Sequence, residues 1–129
     1  MATKIDVQQR RVRRLLGRQR ALVASLLEVR AQLRGSVFTR FGTCGKAGCA
    51  CGGGDAHGPY YVLSTRQAGA GGFAYLDRTR AVEARRLVAG YRRFRGGLQR
   101  LRTLNRELLT ALQRYQEAVT RRGGRHIGL

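Results

Sequence analysis

Residues 87–119, LVAGYRRFRGGLQRLRTLNRELLTALQRYQEAV, carry the pattern that decides the fold. Apolar residues recur there in alternating steps of four and three: Leu87, Tyr91, Phe94, Leu98, Leu101, Asn105, Leu108, Leu112, Tyr115 and Val119. Nine of those ten positions are apolar, over about four heptads, which predicts a helix packed along one stripe in the manner of a coiled coil. The exception is Asn105. Either its amide sits in the seam and fixes register, because any shifted pairing would strand it, or it turns to solvent.

Toward the N-terminus the same steps return in Val12, Leu15, Leu22, Leu26, Val29 and Leu33, with polar Gln19 in the remaining place. Leu16, Val23 and Leu27 widen the stripe, and Gly35 is placed to cap the helix end. The expectation is a basic helix over 6–35 and a longer one over 80–121, lying antiparallel. At 1.5 Å per residue the two would measure about 40 Å and about 60 Å. The longer helix then overhangs the shorter, leaving the Leu101 to Val119 seam open to a second copy of the chain or to another partner. Gly90, Gly96 and Gly97 lie inside it, each costing up to about 1 kcal/mol relative to Ala, and Gly96 marks where a kink or break would fall. Residues 123–129 show no periodicity and read as a disordered tail.

Between the helices, residues 36–79 change period. Tyr60, Val62 and Ser64 alternate with Tyr61, Leu63 and Thr65, and after Gln67 to Gly72 the run Phe73 to Leu76 alternates again, which reads as a β-hairpin. Asp77 or Thr79 can cap the second helix. The fold class is thus mainly α with a small β-hairpin, a single domain over 1–122.

The same middle segment holds Cys44-x4-Cys49-x-Cys51-x5-His57, four soft or borderline donors within fourteen residues and surrounded by glycine. Zinc takes four such donors in a tetrahedron, and glycine permits the sharp bends that bring them together. Cys49 and Cys51, two apart, point the same way in an extended stretch. Three reduced thiols packed as small apolar groups is a weaker reading, and an iron–sulfur cluster would normally want four thiolates. His57 is the nearest and best-spaced fourth donor, ahead of Asp55 and His126. The set lacks the His-Glu-x-x-His of metalloproteases and the His-x-Glu with Pro-Cys-x-x-Cys of nucleobase deaminases, and Asp55 is the only carboxylate beside it. A structural Zn2+ is expected, in a protein that is not an enzyme and has no small-molecule substrate.

Lys and Arg together number 26 against 7 Asp and Glu, a net charge of +19, and all but two of the 26 are Arg. The charge sits on the flanks: residues 1–35 carry +7, 36–79 carry +2 and 80–129 carry +10. A GC-rich genome would explain Arg in place of Lys, but not the scarcity of acids. Such a surplus calls for a polyanion, and Arg grips phosphate bidentately. The expected partner is DNA or RNA. Its candidate contacts are Arg10, Arg11, Arg13, Arg14, Arg18 and Arg20 on the first helix, Lys46 in the knuckle, and Arg85, Arg86, Arg92, Arg93, Arg95, Arg100 and Arg102 on the second. Tyr60, Tyr61, Phe73 and Tyr75 are able to stack on bases, but packing against the helices is the expected role, since an alternating strand must bury one face. No stretch approaches the roughly 20 apolar residues of a membrane span, and Met1 to Arg14 lacks a signal peptide's apolar core. A cytoplasmic protein is expected, nucleoid-associated if it binds DNA. The second functional reading is a scaffold module that oligomerises or binds an acidic partner through its long helix.

The string Cys44-Gly45-Lys46-Ala47-Gly48-Cys49-Ala50-Cys51, with His57-Gly58-Pro59-Tyr60-Tyr61, resembles a family of small bacterial and archaeal proteins of uncharacterised function. Their shared features are a Cys-Gly-Lys-x-x-Cys-x-Cys knuckle, a His-Gly-Pro-Tyr strand and a long helix with Tyr-Arg and Leu-Asn-x-Glu-Leu strings. The counterparts here are Tyr91-Arg92 and Leu104-Asn105-Arg106-Glu107-Leu108, so the likeness runs from about Arg34 to Leu109. It implies that Cys44, Cys49, Cys51 and His57 form one unit, and it implies a link to mobile elements. Ala68 to Gly72 lacks the basic turn residue of the relatives and Leu76-Asp77-Arg78 lacks their Pro, so a phosphate contact at that turn is not carried over.

Overall fold

Thr3 and Asp6 start the chain's first helix. In the computed structural model, which describes residues 1–42, 47–49, 57–65 and 72–129, α1 spans Lys4–Leu27. The Asp6 N–H donates to Thr3 Oγ1 at 3.1 Å and the Thr3 N–H donates back to Asp6 Oδ2 at 3.0 Å, a reciprocal cap that satisfies two of the helix's orphan donors. The hydrogen bonds that the Thr3 N–H and the Thr3 hydroxyl donate to Asp6 Oδ2 hold that carboxyl below its ordinary range. After α1 come β1 (Gly35–Gly42), β2 (His57–Thr65), β3 (Gly72–Leu76) and α2 (Arg78–His126). The sheet is antiparallel in the order β1-β2-β3.

Five sequence expectations need correction. α1 ends at Leu27 rather than near Gly35. Val29 and Leu33 have helical spacing, but the Leu33 N–H donates to the Leu87 carbonyl at 3.1 Å and its side chain lines an apolar hollow with Leu63, Leu76, Ala84 and Leu87. Gly35 begins a strand instead of capping a helix: a Cβ there would run into the Ser64 carbonyl of β2. The hairpin therefore gains a third strand, β1, whose Ser-Val-Phe-Thr-Arg-Phe run is rich in β-branched and aromatic residues. α2 is one 49-residue helix without a break at Gly96, and it continues through most of the expected tail. Its end is closed by Gly128, in the left-handed region at φ 82°, with the Leu129 N–H on the Gly124 carbonyl at 3.0 Å and the Gly128 N–H on Arg125 at 3.2 Å. That is a Schellman cap, which glycine makes available without steric cost.

The chain divides into two compact units, Met1–Val29 with Phe94–Leu129, and Arg30–Arg93. In the first, helical unit, Leu15, Leu104 and Ala111 form a buried core with Val12, Leu22 and Leu108 packed against it. The two polar seam residues meet: Gln19 Nε2 donates to Asn105 Oδ1 at 2.8 Å. Gln9 and Tyr115 meet at 3.4 Å and Leu26 lies against Gly97, so low numbers on α1 meet high numbers on α2. α1 thus engages this stretch of α2, which is not the free overhang that helix lengths suggested, but the buried stripe runs through Leu104, Leu108, Ala111 and Tyr115 rather than the expected positions Asn105 and Leu112, which are exposed.

In the second, sheet unit, α2 presents its small residues Ala81, Ala84 and Val88, all buried, with Asp77 as the cap: its Oδ1 accepts from the Arg80 N–H at 2.8 Å. Register sets Val37, Leu63 and Ala74 abreast, and Thr39, Tyr61 and Leu76 abreast, on the sheet face toward this helix. Arg85 joins the two layers, with Nη2 3.3 Å from Thr39 Oγ1 and its guanidinium 5.6 Å from the Tyr61 ring centre.

Candidate nucleic-acid interface and metal pair

Every arginine among the described residues is solvent-exposed, and among those residues the single ion pair is Arg86 with Glu83. That pair lowers the Glu83 carboxyl and raises Arg86, so Arg86 is partly committed within the protein. Arg85 is committed likewise to Thr39 and Tyr61. The other predicted contacts fall in both units. Arg10, Arg11, Arg13, Arg14, Arg18 and Arg20 on α1, with Arg95, Arg100 and Arg102 on α2, belong to the helical unit, whereas Arg85, Arg86, Arg92 and Arg93 belong to the sheet unit. Arg18 and Arg100 are brought together, lining one groove with Gln99, Thr103 and Glu107.

A second cluster was not predicted. Lys4, Arg121, Arg122 and Arg125 line one cleft with Thr3 and Ala118. Reading residues 123–129 as a tail hid it, although antiparallel helices must bring the start of one beside the end of the other. Within 4 Å no carboxylate pairs with these cations among the described residues, so their charge stays available to an anion.

Of the four predicted metal donors, Cys44 and Cys51 lie outside the described residues, as do Lys46 and Asp55. The other two are brought together: Cys49 Sγ stands 3.0 Å from His57 Nε2, eight positions apart in sequence. His57 is the first residue of β2 and pairs with Gly42 at the end of β1, after a bulge at Arg40 to Gly42. The cysteines therefore belong to a connection whose two ends are held side by side by the sheet. Gly58 follows at φ 141°, where a Cβ would meet the Phe41 ring and the Arg40 carbonyl, so only glycine fits beside His57.

The aromatic residues divide by face. Tyr61 points to α2, as expected for packing. Tyr60, Phe73 and Tyr75 do not: they stand on the opposite face with Phe38 and are 39%, 73% and 60% exposed. The expectation of packing against the helices is corrected for these three. Strand alternation allows only one face of the sheet to meet the helix.

A family described as a domain of unknown function (DUF6788) matches residues 6–86. The chain belongs to that family. The match to DUF6788 takes in most of α1, all three strands and the first turns of α2, hence all four predicted metal donors and the arginines up to Arg86. It starts earlier than the likeness read from Arg34 to Leu109 and ends before Leu104 and Asn105, so the second half of α2 lies beyond it. No curated protein and no solved structure matches the chain. Among the described residues, no helix is long and apolar enough to cross a membrane.

Proposed function

We propose that this chain is a zinc-stabilised accessory protein that binds nucleic acid through its arginines. The uncompensated charge carries the reading: a net +19, with each described arginine in solvent and one internal ion pair among them. Guanidinium groups so placed repel one another until a polyanion binds, and release of phosphate counterions then drives association. Arg18, Arg100 and the Lys4, Arg121, Arg122, Arg125 cluster are the first groups to contact phosphate in this scheme. The metal is structural, held by Cys44, Cys49, Cys51 and His57. Bond lengths of about 2.3 Å to sulfur and 2.0 Å to nitrogen put two ligands of one tetrahedral zinc about 3.6 Å apart. The 3.0 Å between Cys49 and His57 supports a shared ion.

Affinity for a 20-base-pair duplex, measured from about 50 to 200 mM salt, should fall with a logarithmic slope near −0.9 per phosphate contacted. Changing Arg18, Arg100, Arg121, Arg122 and Arg125 to Gln should flatten that slope. No binding at low salt would sink the proposal. The scaffold reading draws on Leu109 and Leu112, 59% and 44% exposed on α2, and predicts salt-insensitive self-association instead.

A further inference from the structure

An antiparallel sheet covered on one face by a helix usually shows water a polar opposite face. Here the open face carries Ser36, Phe38 and Arg40 on β1, Tyr60, Val62 and Ser64 on β2, and Phe73 and Tyr75 on β3. Among the described residues it holds four aromatic rings and no carboxylate. Val62, at its centre, is 3% exposed, whereas Phe38 is 40%, Tyr60 39%, Tyr75 60% and Phe73 73% exposed.

The rings form two crossed pairs. Phe38 and Phe73 have centroids 6.4 Å apart at 85°, and Tyr60 and Tyr75 have centroids 6.1 Å apart at 83°. β1 and β3 flank β2, so Phe38 and Phe73 must lean toward each other across the central strand. Arg40 stands at the edge, with Nη1 donating to the Tyr75 hydroxyl at 3.1 Å, and it lines a shallow hollow with Gly42, Tyr60 and Tyr75. Covering Val62 takes only part of this surface. Patches of exposed rings on a soluble domain mark a binding face.

Resting on the nucleic-acid reading above, we propose that this face stacks unpaired nucleobases, so that single-stranded nucleic acid is the preferred partner. The choice of occupant follows from charge and shape. A chain of net +19 with a guanidinium at the patch edge suits a polyanion, and the rings suit flat apolar groups that such a polyanion exposes. Unpaired bases offer ring faces together with phosphates, whereas a duplex hides its ring faces in the stack. Arg40, oriented by Tyr75, is placed to contact a phosphate or to stack on a base beside the tyrosines.

The test compares the full chain with Phe73→Ala and Tyr75→Ala, using 20-nucleotide single strands of DNA and of RNA, the matching duplexes, and an abasic strand of equal length. Each alanine should weaken single-strand binding roughly tenfold, with duplex binding changed less than twofold. Abasic strand should bind wild type as weakly as single strand binds the variants. Phe73→Tyr keeps the ring and should restore affinity, which separates stacking from loss of fold, whereas Tyr75→Phe keeps the ring but releases Arg40 and should restore affinity only in part. A 2′-hydroxyl preference would appear as a difference between the RNA and DNA arms. Equal losses on single strand and duplex, or an abasic strand that binds as well as a base-bearing one, would overturn stacking while leaving phosphate binding intact. A dimer that covers the rings and is dissolved by Phe73→Ala would also overturn it. Absence of binding to every probe at low salt would defeat the underlying reading instead.

Discussion

The helical unit and the sheet unit solve the problem of a small core in different ways. In the helical unit, Val12, Leu15 and Leu22 on α1 face Leu104, Leu108 and Ala111 on α2, each set at helical spacing, and each added turn brings another partner into the seam. In the sheet unit, the apolar residues that meet, Leu33, Leu63, Leu76, Ala84 and Leu87, come from separate segments of the chain. The helical unit carries +11 and the sheet unit +8, yet the proposed metal and the aromatic face both belong to the sheet unit. A seam of leucines needs no further support, whereas three short strands with long connections gain most from a covalent or coordinate staple.

Chelation tests this contrast most severely. Removing zinc should cost the sheet unit a large part of its order, since binding energies of structural zinc are on the order of 10 kcal/mol. Hydrogen exchange should show amides of 35–42 and 57–65 losing protection, with those of 8–24 and 98–120 unchanged. Equal protection in both units, or a purified chain without one metal ion, would break the comparison. Leu104→Ala should do the converse, costing the helical unit about 2–5 kcal/mol through the cavity it leaves against Leu15, read as a lower midpoint in urea. The smallest effect concerns Asp6. Its carboxyl is lowered by the hydrogen bonds from Thr3, so the cap's contribution is complete above the ordinary aspartate value of about 3.9 and is lost as pH falls through the lower folded value. Protection of the Asp6 and Val7 amides, corrected for the intrinsic pH dependence of exchange, should fall in acid, and Asp6→Asn should remove that pH response.

Several features were legible from single residues. The helical character of α2, the β2–β3 hairpin and the Asp77 cap each follow from a local rule, and the Cys49 and His57 spacing pointed to the pair that the fold brings to 3.0 Å, whereas the buried stripe of α2 at Leu104 and Ala111 was not the one its heptad steps marked. Thr3 and Asp6 were also legible, as a Thr-x-x-acid box, but sit ahead of the periodic stretch. Others were hidden because the signal is ambiguous rather than weak. Val29 and Leu33 continue a helical period although they serve the sheet unit, and Gly35 has the residue type of a helix cap although its role is close strand approach. A run such as residues 36–41 reads as a strand only when a neighbouring strand is known to accept it.

Arginine excess, helical seams, a hairpin and a cluster of metal-type donors were determined by the sequence alone, because each depends on composition or on spacing within a few turns of chain. Tertiary structure decided which way the rings face, that Gln19 meets Asn105, and that Lys4 joins Arg121, Arg122 and Arg125. Those outcomes depend on pairings between residues about 13 to 46 positions apart for the rings and about 80 to 120 for the rest. No local propensity encodes such pairings. They emerge only when burial of one face forces the other face, and the residues upon it, into water.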